Sequence, residues 1–116
     1  MPVGQGGVDR SGHDIQMVMM YIADHLDEPL DLHQLAAMIG LGERSFISVF
    51  KKATGYTPHA YVMDARINTA RSMLSNSSKP VEQIALNCGY SKLSVFCSAF
   101  KSKVDMSPMG YRRRVL

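Results

Sequence analysis

The sequence predicts an all-α chain of about seven helices in which one helix-pair module occurs twice. Three observations predict it. Apolar residues recur at helical spacing, and no segment sustains the period-two alternation of a strand. The connections between apolar stripes are short and rich in Gly, Pro and Ser. An ordered set of residues recurs after 49 to 50 positions. The 116 residues, 46% hydrophobic and 20% charged, suit one folded domain of ordinary size. No apolar run approaches the roughly 18 residues of a membrane span. The Gly-rich start lacks the apolar core of a secretory signal. Two cysteines without a framework fit a reducing compartment such as the cytoplasm.

Residues 1–12 show no periodicity and read as a flexible tail or linker. From Ile15 the apolar residues Val18, Met19, Ile22, Ala23 and Leu26 form the stripe of an amphipathic helix, which Pro29 closes. Asp31 can cap a short helix carrying Leu32, Leu35, Ala36 and Ile39, and Gly40 ends it. A third helix, about 43–54, buries Phe46, Val49 and Phe50, with Gly55 just past its end. Thr57-Pro58 supplies the cap and first residue of a longer helix to about Leu74, with Val62, Ala65, Thr69, Ala70 and Met73 along one side. Residues 75–78 form a polar loop. A short helix from about Pro80 carries Val81, Ile84 and Ala85 and stops at Gly89. Ser91 can cap the next, in which Val95, Phe96, Ala99 and Phe100 face inward. Ser107-Pro108 opens a last short turn through Arg112, Arg113 and Arg114.

The repeat sets Gln34-Leu35-Ala36, Gly40, Phe46, Phe50-Lys51 and Pro58 against Gln83-Ile84-Ala85, Gly89, Phe96, Phe100-Lys101 and Pro108. Ala to Gly is four residues in both copies, and Phe to Phe is four in both. Only the Gly-to-Phe step differs, six against seven. Each copy is a short helix, a Gly turn and a second helix held by two Phe residues on one face. That is the helix-turn-helix pattern, whose second helix can enter a major groove. The alternative is a plain helical bundle with a duplicated hairpin.

Charge is divided along the chain. Residues 1–43 hold Asp9, Asp14, Asp24, Asp27, Glu28, Asp31 and Glu43 against Arg10 alone. The other twelve of the 13 basic residues follow, with only Asp64, Glu82 and Asp105 opposing them. A basic segment of this kind invites a polyanion, nucleic acid first and an anionic membrane surface second.

Several stretches then resemble one family. Residues 50–58, FKKATGYTP, resemble the FK-x-x-x-G-x-(S/T)-P stretch of the AraC/XylS transcription regulators. Residues 66–74, RINTARSML, resemble that family's R-(I/L)-x-x-A-x-x-L-L helix. Ile84-Ala85, Cys88-Gly89-Tyr90-Ser91 and residues 94–101, SVFCSAFK, resemble its I-A-x-x-x-G-(F/Y)-x-x-x-S-x-F-x-R-x-F-K signature, completed by Ser107-Pro108 and Tyr111-Arg112. The resemblance implies a DNA-binding domain over 13–116. It would consist of a first helix-turn-helix unit at about 13–56, a linker helix at about 58–74 and a second unit at about 79–113. Recognition helices at about 43–54 and 92–103 would enter successive major grooves about one turn, ~34 Å, apart. A linker that held them closer would require the DNA to bend. Double-stranded DNA is the expected partner, bound by a monomer, and regulators of this kind also touch RNA polymerase. Many members carry a further effector or dimerisation domain, and the Gly-rich start favours reading this chain as the DNA-binding piece of a longer one.

In the first unit Arg44 is the best base reader, because a guanidinium pairs bidentately with guanine O6 and N7. Ile47 packs on a thymine methyl or at the core edge, and Ser48 reaches a base or a phosphate. Gly42 leaves backbone N–H groups free for a phosphate, and Lys51 lies near the backbone. In the second unit Lys92, Leu93, Ser94 and Ser98 stand at reading positions, with Lys101 and Arg112 near phosphate. Ser98 occupies a place where the family often has Arg, and Leu93 one where a polar residue is common. Weaker direct readout is therefore expected from this unit.

Nothing in the sequence supports an enzyme, a metal site or a cofactor. His13, His25, His33 and His59 lie far apart, there is no C-x-x-C, and no nucleophile elbow or phosphate loop occurs. Cys88 reads as packing and Cys97 as exposed. Nine methionines suggest adaptable core packing. The alternative function is a helical protein-interaction module that acts through the acidic first helix.

Overall fold

A computed structural model describes the backbone of residues 2–115 and the side chains of residues 12–115. The backbone forms α1 (Pro2–Asp24), α2 (Leu32–Ala37), α3 (Glu43–Thr54), α4 (Pro58–Asn76), α5 (Val81–Asn87), α6 (Leu93–Val104) and α7 (Pro108–Val115). No strand occurs among the described residues. The flexible tail expected over 1–12 is instead helical in its backbone from Pro2, where α1 begins; the side chains of residues 2–11 lie outside the described ones.

Local chemistry sets the helix ends. The Asp31 carboxylate accepts from the Gln34 amide at 3.3 Å and starts α2. Thr57 and Ser107 accept from the amides three residues on, at 3.2 and 3.0 Å, so each precedes its proline as a cap. The Ala-to-Gly spacing of the repeat has a specific cause. Leu41 N–H donates to the Ala36 carbonyl and Tyr90 N–H to that of Ala85, at 3.0 and 2.9 Å. Gly40 and Gly89 lie just before these donors at φ 70° and 88°. This bond pattern closes a helix only around a left-handed residue, which glycine adopts without steric cost.

The second half of the repeat ends the same way with different residues. Gly55 closes α3 at φ 85° and Asp105 closes α6 at φ 65°, each donating its amide to the lysine carbonyl four residues back. Asp tolerates this conformation better than most residues but pays a steric penalty that Gly escapes. We expect Asp105→Gly to stabilise the chain by roughly 0.5–1 kcal/mol, read as a higher urea midpoint with unchanged slope. A lower midpoint would contradict the strain.

The helices group into two units: Met1–His25 with Leu30–Val62, and Leu26–Pro29 with Met63–Leu116. In the first, α1 and α2 pack on α3, and Ile15, Val18, Ile22, Leu35, Ala36, Phe46, Phe50 and Val62 are buried. In the second, α5 and α7 pack on α6, around Ile67, Ala70, Leu74, Ile84, Ala85, Cys88, Tyr90, Phe96 and Phe100. Both cores use the same device. The rings of Phe46 and Phe50 lie 5.6 Å apart, and those of Phe96 and Phe100 lie 5.8 Å apart. Tyr61 meets the second ring of the first pair edge-on, and Tyr111 does so in the second.

Arg66 organises the second unit. Its Nε donates to the Leu26 carbonyl at 3.2 Å and its Nη2 to that of Glu28 at 2.8 Å. Its guanidinium also lies 5.9 Å from the centre of the Tyr90 ring. The segment Leu26–Pro29 is thereby held in the second unit, although it comes early in the chain.

Other expectations change as well. Val49 of α3 is only partly covered, and Ala23 of α1 is exposed. Lys92, not Ser91, is the residue that precedes α6. The α4 helix runs through Asn76, so Ser75 and Asn76 are helical rather than loop. Its buried line is Val62, Ile67, Ala70 and Leu74, while Ala65, Thr69 and Met73 are only partly covered. Val95 is exposed rather than inward-facing, because Phe96 and Phe100 set the buried side of α6 and Val95 falls well away from it.

Candidate nucleic-acid interface

On α3 the buried pair Phe46 and Phe50 fixes which side meets the core, so Glu43, Arg44, Ser45, Ser48, Lys51 and Lys52 are exposed on the rest. Arg44, Ser48 and Lys51 fall one turn apart on the outward face. Ile47 is half-buried at the margin, which leaves both its packing and its methyl-contact readings open. Gly42 precedes the helix in extended conformation (φ −76°, ψ 166°) with no side-chain cap. The first α3 amides therefore carry no capping oxygen and point along the positive end of the helix dipole. Glu43 sits beside them, with His33 Nδ1 3.7 Å from its carboxylate; both side chains are well exposed.

On α6 the equivalent surface carries Leu93, Ser94, Val95, Ser98, Lys101 and Ser102, all exposed. Cys97 is half-buried, in the place Ile47 holds on α3. Lys92 stands at the extended residue before the helix and provides no side-chain cap. Val95 was not singled out as a reading residue in the sequence, because its apolar character placed it in the core.

Besides Arg66, several cations are already engaged. Lys103 lies 3.6 Å from Asp64, an exposed pair of small energetic weight. Arg112, expected near phosphate, is part-buried and donates from Nε to the Leu74 carbonyl at 3.2 Å and from Nη2 to that of Ser77 at 3.1 Å. It closes the C-terminal end of α4, whose last carbonyls lack helical partners. Arg71 lies 5.6 Å from the centre of the Tyr111 ring, and Arg71, with Ser75 beside it, lowers the pKa of the Tyr111 hydroxyl from its ordinary value.

A helix-turn-helix domain family matches residues 35–114, from α2 to near the end of α7. A solved structure of an AraC-type DNA-binding domain protein from Chromobacterium violaceum is 27% identical, with a TM-score of 0.80, covering 88% of this chain and 91% of that one. The chain belongs to the AraC/XylS family. The AraC-type assignment agrees with two further likenesses. The DNA-binding domain of AdpA, solved in complex with a target DNA, is 27% identical at a TM-score of 0.83, covering 86% of this chain and 90% of that one. A probable transcriptional regulator of Photobacterium leiognathi, LumQ, is 34% identical over 100 residues, which is 84% of this chain and 40% of LumQ. The chain spans two fifths or less of the length of such curated relatives. The curated relatives bear the names of regulatory proteins, and no helix among the described residues is long and apolar enough to cross a membrane.

The two cysteines of this AraC-type chain differ sharply. Cys88 is fully buried, and burial pushes its thiol up to about 11, against an opposing pull from the Arg66 charge. We expect a maleimide to label Cys97 in the folded chain and Cys88 only after unfolding. Because the folded value lies above the ordinary 9.0, the neutral Cys88 thiol contributes its full stability below pH about 9. That contribution is lost as the pH rises towards 11, by an amount on the order of 2 kcal/mol. Cys88→Ala should flatten this part of the stability profile relative to the parent, as measured by urea midpoints across pH 8–11.

Proposed function

We propose that this chain binds double-stranded DNA sequence-specifically as a monomer, with α3 and α6 in successive major grooves, and thereby regulates bacterial transcription in the cytoplasm. The observation that carries the reading is the exposed face of α3, where Arg44, Ser48 and Lys51 stand in register opposite the buried Phe46 and Phe50. A helix of about 10–12 Å diameter fits a major groove about 12 Å wide. The AdpA domain, alike in fold and sequence, was solved on a target DNA, which supports the same use here. Arg44, Ile47 and Ser48 are assigned to bases on one side and Lys92, Leu93, Ser94 and Ser98 on the other. Gly42, Lys51 and Lys101 are assigned to the backbone.

Fluorescence anisotropy with a duplex of about two helical turns tests this. Affinity should fall steeply with salt, log K against log salt having a slope near −0.9 per phosphate neutralised. Arg44→Ala should cost roughly 1–3 kcal/mol and relax preference at one base pair. Retained preference at every position would remove Arg44 from the reading role. Met17 and Met20 are exposed on α1, Met20 one turn before the exposed Asp24, and this face is assigned to a protein contact with RNA polymerase while DNA is bound. Recovery of a ternary complex that Met20→Glu abolishes, with DNA affinity unchanged, would support the assignment.

A further inference from the structure

We propose that the two units differ in their main readout, α3 relying on the hydrogen bonds of Arg44 and Ser48 and α6 on apolar contact of Leu93 and Val95 with thymine methyl groups. The second half of the target is then defined by thymines. The inference deepens the DNA reading above and rests on it.

The repeat aligns the first turns of the two helices residue by residue. Glu43-Arg44-Ser45 opens α3, and Leu93-Ser94-Val95 opens α6. All six residues are exposed. The first turn of a recognition helix is the part that approaches base edges. On α3 it carries a guanidinium. On α6 it carries two apolar side chains, 41% and 52% exposed for Leu93 and Val95, which lie about 200° apart around the helix, so each is offered to a different edge of the groove. The α6 core is complete without them, since Phe96, Phe100, Tyr90 and Ile84 already close it.

The remaining outward residues of α6 sharpen the contrast. Ser94, Ser98 and Ser102 are short, and none can make the paired hydrogen bonds by which Arg, Asn or Gln distinguish guanine or adenine. Short side chains also let a helix settle close to the groove floor, where a leucine or valine methyl can reach a base edge. Only thymine presents a methyl group there. Lys101, two turns along the helix, supplies charge for a flanking phosphate.

Selection from random duplexes, followed by replacement of single thymines with deoxyuridine, tests this, because the replacement removes the methyl group and nothing else. Each contacted thymine should raise Kd about three- to fivefold on replacement. Leu93→Ala and Val95→Ala should make the same replacements nearly silent, under about 1.5-fold, while circular dichroism shows both variants folded. Leu93→Gln should shift the selected base at its position from thymine to adenine. A sequence-selective chain whose Kd is unchanged by complete deoxyuridine replacement would overturn the inference and leave the DNA reading intact. A chain that binds every duplex alike would remove both.

Discussion

Gly89→Ala is expected to destabilise the chain by roughly 3–5 kcal/mol, while Gly40→Ala costs only about 1–2 kcal/mol, although the two glycines hold the same place in the repeat. Both have positive φ, so both substitutions carry the backbone penalty of a side chain in the left-handed region. The surroundings differ. A Cβ on Gly40 meets nothing within 4 Å. A Cβ on Gly89 would overlap the Leu26 carbonyl oxygen and stand 2.9 Å from the Arg66 guanidinium. Relief requires one of them to move, and the Arg66–Leu26 hydrogen bond goes with it. Against a total stability of about 5–15 kcal/mol for an ordinary domain, that is the difference between a shifted melt and a largely unfolded chain. Thermal melts of the two variants side by side are the check; equal shifts would contradict the close approach at Gly89.

Phe96→Ala is expected to cost about 3–5 kcal/mol, and Val95→Ala, its neighbour, no more than about 0.5 kcal/mol. Phe96 is fully buried, with its ring centre 5.4 Å from Tyr90 and 5.8 Å from Phe100. Removing the ring leaves a cavity between two aromatic neighbours that α5 and α7 can only partly fill. Val95 touches the same helix from its solvent side. Urea unfolding with tryptophan-free detection, such as helical circular dichroism, measures both. A Phe96→Ala loss under about 1 kcal/mol would mean that α6 is not anchored by this ring.

The architecture was readable because the signals that make it are local. Helix ends at Asp31, Gly40, Gly55, Thr57-Pro58 and Ser107-Pro108 depend on one or two residues each, and these stand in the sequence in plain view. The Phe pairs were equally legible, since an i, i+4 spacing alone puts both rings on one face. What stayed hidden depends on distance along the chain. The Arg66 partners are carbonyls 38 and 40 residues away, and backbone carbonyls leave no mark in a sequence. Arg112 was read as a cation near phosphate for the same reason, its partners lying 35 and 38 residues back. Val95 misled because an apolar residue beside a core phenylalanine is ordinarily core, and only the angle around α6 separates them.

The second unit is assembled from two stretches of chain, Leu26–Pro29 and Met63–Leu116. No single cut therefore releases it intact. A fragment starting at Met63 would keep every residue of its hydrophobic cluster and still lack the two carbonyls that Arg66 grips, leaving a partly buried cation with unmatched donors. During synthesis the early stretch must wait for about forty later residues before its partner emerges, so the unit matures only after most of the first one is already made. Anyone wishing to exchange half-sites between relatives should move residues 26–29 together with the second half.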